Sequence, residues 1–293
     1  MNIPRANELK ISGINGAMYY GGNQEWYSSN TWAMGGCGSV AGANVLRCLA
    51  RCNKNVRNII RDSSKLPSEV KSALCSDLPT REHFSLLMTS IYKSMWAIEL
   101  FPLNRIYDRY TRGTRFFSFI KPNFGLTNTG FIIGIIRFAS RIGLDIEVQS
   151  LPTAFCDSQK GLDFIREGLS QSGAVVLLTS YNKHNLQLYP SNSSLEAPLN
   201  ETCTATSSSM KCHFATITDV DTNTNRLLIT TWGRPATVDY SELAQSWKSI
   251  KGFESTLMYI TPSTRSESKA SMLRSWRPYV YGILQSLLRR FLY

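Results

Sequence analysis

Cys37 sits in Gly35-Gly36-Cys37-Gly38-Ser39, immediately before a stretch with helical spacing of apolar residues. That arrangement delivers a thiol to the first turn of a helix. Unpaired backbone N–H groups and the helix dipole at such a position favour the thiolate. The flanking glycines let the backbone turn sharply and approach a ligand closely. The chain has seven cysteines, Cys37, Cys48, Cys52, Cys75, Cys156, Cys203 and Cys212. Only Cys37 has this setting; the plain alternative is a small thiol packed at a tight turn. A thiolate nucleophile works with a histidine, and the chain has three: His83, His184 and His213. His83 falls on a probable helix and His184 in a polar loop. His213 opens a strand, sharing a face with Ala215, Ile217 and Asp219, while Phe214, Thr216 and Thr218 take the other.

The elements that must hold these residues are legible in outline. Residues 1–36, rich in Gly, Asn, Ser and aromatics, read as loop with short extended pieces. Val40, Ala43, Leu46 and Leu49 recur at helical spacing from Gly38 to about Cys52. Pro79 and Thr80 precede a helix through Phe84–Leu87 and Ile91. Thr129–Ile142 and Gly161–Gln171 suit helices, and Asp145–Gln149 alternates like a strand. Gly173–Ser180 is a buried strand by its continuous apolar run. Cys212–Val220 and Arg226–Trp232 are strands joined by a hairpin turn at Asp221–Asn225. Asp239 or Ser241 caps a helix to Trp247, and Ser255–Ile260 is a last strand.

Taken in order, Gln24-Glu25-Trp26, then Gly36-Cys37-Gly38 opening a helix, then His213-Phe-Ala-Thr-Ile217 on a strand, then Thr230-Thr231-Trp232-Gly233 after a turn, resemble a known family. The chain looks like a papain-like cysteine peptidase, similar to the bacterial branch of bacteriocin-processing peptidases. The resemblance covers residues ~20–52 and ~160–262. It implies an α+β fold, with the N-terminal cysteine-bearing helix packed against a mostly antiparallel sheet. Residues 1–263 would be the catalytic domain and 53–126 an enlarged helical insertion in it.

The resemblance also implies roles. Cys37 would attack a carbonyl carbon, and His213 would hold the thiolate as an ion pair and then protonate the leaving group. The Cys37 backbone N–H and the Gln24 side-chain amide would stabilise the oxyanion. Gln24 lies thirteen residues before Cys37, farther than the family pattern, and Asn30, seven before, is the competing donor. The family places an Asn or Asp about sixteen or seventeen positions past the histidine to orient the imidazole. Thr230 stands there, a hydroxyl that accepts a ring N–H with weaker electrostatic support. Asp219 is the alternate, though far along the strand. Trp232 would shield the imidazole's hydrogen bond from water. The substrate would be a peptide or protein. Deamidation, acyl transfer and isopeptide hydrolysis use the same machinery, and a degenerate binding protein that retains the fold is the alternative.

No cofactor is implied. Zinc is disfavoured because Cys203, Cys212 and His213 are close in sequence but no C-x-x-C pair exists. The odd cysteine count in a chain of 293 residues argues for reduced thiols. The first residues lack an apolar core, which predicts no conventional secretion signal, and no apolar run approaches the ~18 residues of a membrane span. A cytoplasmic location follows, with peripheral membrane association as an option. The net charge is +11. Residues 53–126 hold twelve basic and six acidic residues, and 271–293 hold four arginines and no acid, so the excess lies outside the peptidase-like segments. Arg105, Arg109, Arg112 and Arg115, interleaved with aromatics, match no nucleic-acid motif and read as a solvated basic face. After a linker from about residue 264, Ile283, Leu284, Leu287, Leu288, Phe291 and Leu292 form the apolar side of a basic amphipathic helix suited to a membrane surface or protein partner.

Overall fold

The computed structural model describes residues 5–95, 126–153, 156–179, 186–190, 209–210, 212–247 and 255–263. The described elements all fall within Met1–Pro262. The arginine segment at 105–115, Cys203, His184 and the whole of 264–293 lie outside the described residues.

The chain is α+β. A helical turn at Arg5–Leu9 leads into a two-stranded hairpin, β1 (Lys10–Ser12) and β2 (Met18–Tyr20). A short turn at Gln24–Trp26 follows, then α1 (Asn30–Gly35) and α2 (Cys37–Cys52). Next come α3 (Lys54–Asp62), α4 (Ser68–Cys75), α5 (Arg81–Tyr92) and α6 (Asn128–Arg141). The remainder alternates: β3 (Ile146–Pro152), α7 (Ser158–Ser172), β4 (Val175–Thr179), β5 (Leu186–Gln187), β6 (Tyr189–Pro190), β7 (Ser209–Met210), β8 (His213–Asp221), β9 (Arg226–Thr231), β10 (Arg234–Asp239), α8 (Tyr240–Ser246) and β11 (Thr256–Pro262). Seven strands form one sheet in the order β3-β11-β4-β8-β9-β10-β6, and every pairing in it is antiparallel.

Strand alternation divides the sheet's two faces between two cores. Val176, Leu178, Phe214, Met258 and Ile260 join α2, α4, α5 and α6 in one cluster. Val175, Leu177, Ala215, Ile217, Leu257 and Tyr259 join α7 and α8 in the other, around the fully buried Trp247. Helix α2 is central: every residue from Cys37 to Ala50 is buried, and its three buried polar side chains, Ser39, Asn44 and Arg47, are each hydrogen-bonded. Helix α8 starts where Asp239 accepts the N–H groups of Ser241 and Glu242, as the sequence predicts.

Three features differ from the sequence reading. Strand β10 has no counterpart in the sequence reading, which assigns no element to residues 233–238; Pro235 interrupts its pattern. It pairs with β9 through a two-residue turn, Trp232-Gly233, in which both residues are left-handed. That is the turn geometry whose twist suits a hairpin. Residues 53–80, which resist reading, fold as α3 and α4 on narrow stripes, Val56 with Ile60 and Val70 with Ala73 and Leu74. Finally, β8 carries a bulge between Ile217 and Asp219.

Candidate active site

Cys37 is the first residue of α2. Gly36 before it has no room for a side chain: a Cβ there would lie 2.4 Å from the Tyr27 ring and 2.5 Å from the Trp32 carbonyl oxygen. Ser39 donates to the Gly36 carbonyl (2.7 Å) and bonds the Tyr27 hydroxyl (2.5 Å), which ties down the helix start. Helix α2 packs on β8. The Cys37 sulfur accepts backbone N–H groups from Phe214, Gly38 and Cys37 itself. The first of these places the thiol beside the residue that follows His213.

His213 is held at the start of β8. Its N–H donates to Thr179 Oγ1 and its carbonyl accepts from the same hydroxyl, both at 3.2 Å. Its ring stacks on Trp232 at 4.4 Å and 23°. Trp232 adopts φ 49°, a conformation costly for a bulky residue, and thereby turns its indole onto the imidazole. His213 Nε2 lies 2.7 Å from Thr231 Oγ1.

Gln24, Cys37, His213, Thr230, Thr231 and Trp232 line one cleft with an empty volume of about 210 Å³, and Val40, Ala41, Asn44, Phe214 and Thr216 complete it. Gln24 is half-buried, with Oε1 buried and unbonded among the described residues. The turn that carries it is anchored by Trp26, which packs edge-on to Tyr19 at 4.9 Å beneath the Arg81 guanidinium. Cys37 and His213 are each only 8% exposed.

The structure departs from the sequence reading at four points. The imidazole bonds Thr231, not Thr230. The bulge in β8 adds one residue between the histidine and the hairpin, so the partner stands eighteen positions on. Thr230 is 1% exposed and its hydroxyl has no partner among the described residues. Asp219 does not line the cleft. The same bulge pairs it with Leu228, on the sheet face opposite Ile217 and Ile229, and its carboxylate accepts the Val220 N–H. Asn30 is exposed at the start of α1 and does not line the cleft either.

The fourth point is electrostatic. Burial pushes the Cys37 thiol up from its ordinary value and outweighs the three backbone N–H donors that pull it down. Burial also pushes the imidazole of His213 down to about 4, with no carboxylate among the described residues compensating. At neutral pH the pair therefore rests as thiol and neutral imidazole, not as the ion pair the sequence suggests.

Besides Thr231, sequence reasoning missed Asn44. It lines the cleft two turns along α2 from Cys37, and only its position at i+7 on the helix could have signalled it. Cys37, Cys48, Cys52, Cys75 and Cys156 are free thiols, and among the described residues no group of His, Cys, Asp and Glu gathers as a metal site. No described helix is long and apolar enough to cross a membrane.

No family model and no curated protein matches the chain. The crystal structure of the Pseudomonas avirulence protein AvrPphB is similar over 74% of this chain and 90% of its own, at 10% sequence identity and a TM-score of 0.26. A score that low carries neither the fold nor an activity.

Proposed function

We propose that the protein is a papain-like cysteine peptidase, or a related thiol hydrolase, that cleaves an amide bond in a peptide or protein. The observation that carries this reading is the joint lining of one cleft by Gln24, Cys37 and His213, with the imidazole fixed by Thr231 at 2.7 Å. The likeness to the bacteriocin-processing branch rests on Gln24, Cys37, His213 and Trp232-Gly233 alone.

The chemistry follows from the resting state. Thr231 Oγ1 accepts Nε2–H, which leaves Nδ1 as the bare lone pair. As Cys37 Sγ attacks the carbonyl carbon, Nδ1 takes its proton, so the sulfur never has to stand as a free thiolate. The oxyanion forms between the Cys37 backbone N–H at the helix start and the Gln24 amide. The imidazolium protonates the leaving amine and the C–N bond breaks, leaving a thioester on Cys37. Water then attacks the thioester carbonyl, its proton passes to His213, and the acid leaves as Cys37 recovers its proton.

A second reading, a non-catalytic protein that keeps the fold and uses its basic segments for binding, is favoured by one observation. Among the described residues, no side-chain amide or carboxylate bonds His213 to stabilise its charged form. Alkylation with iodoacetamide separates the two. Catalysis predicts that the buried Cys37 reacts faster at pH 5–6 than the exposed Cys52, and that His213→Ala removes the excess. Cys37 reacting more slowly than the exposed thiols, indifferent to His213, refutes the peptidase.

A further inference from the structure

A buried amide in the middle of an apolar helix costs free energy unless it is bonded. Asn44 is 1% exposed among Val40, Ala41, Ala43 and Val45, and both ends of its amide are used. Oδ1 accepts the Gly22 N–H at 3.0 Å, and Nδ2 donates to Thr216 Oγ1 at 3.2 Å. One side chain thus joins α2 to the Gln24 loop and to the strand that begins with His213. The contact with the loop is close enough to dictate its sequence. Gly21 has φ +86°, and a Cβ there would lie 2.8 Å from Asn44 Nδ2.

The connections continue. The Gly22 carbonyl accepts the Gly233 N–H at 2.9 Å, and Gly233 follows Trp232 in the hairpin turn. Thr230 at the other end of that short segment is the ladder partner of Thr216. A closed ring results: Asn44, Gly22, Gly233, back along the turn to Thr230, across the ladder to Thr216, and back to Asn44. Every group with a proposed role sits on this ring or a step from it. Gln24 is two residues past Gly22. Cys37 is two helical turns before Asn44 on the same face, His213 is three residues before Thr216, and Thr231 and Trp232 lie between Thr230 and Gly233.

We infer that Asn44 is a positioning residue that sets the mutual placement of nucleophile, base and amide donor through this ring. The inference rests on Cys37 and His213 being the reacting pair. It goes further by assigning their alignment to a side chain whose amide is engaged by Gly22 and Thr216 and not by the imidazole. Small displacements of reacting groups are expensive, so loosening the ring should cost reactivity in a protein that is still folded.

The test uses the full chain as wild type, Asn44→Leu, Asn44→Asp, Thr216→Val and His213→Ala, held below the onset of unfolding. Two quantities are read: hydrogen exchange at the Gly22 amide, and the rate of Cys37 alkylation from pH 4 to 9 relative to Cys52 in the same sample. Asn44→Leu should expose the Gly22 amide and lower the relative rate by about ten- to a hundredfold, abolishing its dependence on His213. Asn44→Asp can still accept from Gly22 and from a rotated Thr216 hydroxyl. It should keep Gly22 protected and recover most of the rate at high pH, with the profile displaced upward by the new negative charge. Should Asn44→Leu fail to fold, Thr216→Val, which removes only the strand bond, carries the test with a severalfold loss. A folded Asn44→Leu or Thr216→Val with the wild-type rate and pH profile overturns the inference, as does unchanged protection at Gly22 in Asn44→Leu. Failure of the peptidase reading looks different: wild type and His213→Ala would then alkylate alike, whatever happens at Gly22.

Discussion

The thiol and the imidazole reach the cleft by opposite means. Cys37 heads a helix buried along nearly its whole length, so its position is a by-product of the core. His213 heads a strand just after a left-handed Cys212, and a few directional contacts hold it: Thr179, Thr231 and the Trp232 ring. Close packing is cooperative, and single hydrogen bonds are not. Perturbing the apolar packing of the helix, its Asn44 bonds left intact, should therefore cost stability and spare the chemistry of whatever remains folded. Perturbing the strand end should do the reverse.

The largest effect is expected on the helix side. Leu49 is fully buried in the core around α2, and Leu49→Ala should destabilise the protein by roughly 2–5 kcal/mol in denaturant unfolding. The alkylation rate of Cys37 per folded molecule should stay as in wild type. A slower Cys37 in the folded fraction would break the contrast between the two halves.

The imidazole side has its own stability signature. The folded-state value of His213, about 4, lies below the ordinary 6.5, so the unfolded chain binds the proton more tightly. Stability from this group is complete above pH ~6.5 and is lost as the pH falls towards 4, by about 3 kcal/mol in all. His213→Gln should flatten that part of the stability profile. An equally steep loss in the variant would assign it to other groups and put the imidazole in a more solvated place than the cleft.

How much of this was legible follows the same division. The α2 periodicity, the continuous apolar run of β4 and the Asp221–Asn225 turn are local patterns, and they appear close to where the sequence puts them. The order of Gln24, Cys37 and His213 was legible for the same reason. The rest depends on register. Thr230 and Thr231 are neighbours of one type, and no count along the chain reveals that a bulge in β8 moves the imidazole's partner by one. That bulge also carries Asp219 to the other face. Asn44 reads as an ordinary polar residue in a helix, because its partners lie 22 and 172 positions away. The resting charge state was misread because a helix start argues for a thiolate, whereas burial, which the sequence does not display, argues more strongly against it.

Thr231→Val sharpens the contrast. It removes the only hydrogen-bond partner shown for His213 Nε2 among the described residues, at a cost of about 1–2 kcal/mol, and it frees the tautomer. Relative alkylation of Cys37 at pH 5–6 should fall clearly more than that modest loss suggests, since the base then spends part of its time with the proton on Nδ1. A Thr231→Val protein with the wild-type rate would mean that Trp232 stacking alone orients the ring.

The smallest effect, and opposite in sign, belongs to the adjacent residue. Thr230 is as buried as a core residue, yet its hydroxyl is unbonded among the described residues. Such a group carries a desolvation cost without a return, so Thr230→Val should be neutral or stabilising by up to about 1 kcal/mol. The backbone ladder with Thr216 is untouched by the change, so the ring through Asn44 should hold and Cys37 should react as before. The two valine variants differ by one position, and only the bulge in β8 decides which of them disarms the site. Loss of Cys37 reactivity in Thr230→Val with retention in Thr231→Val would return the orienting role to Thr230 and place the register of β8 against β9 one residue from where it stands.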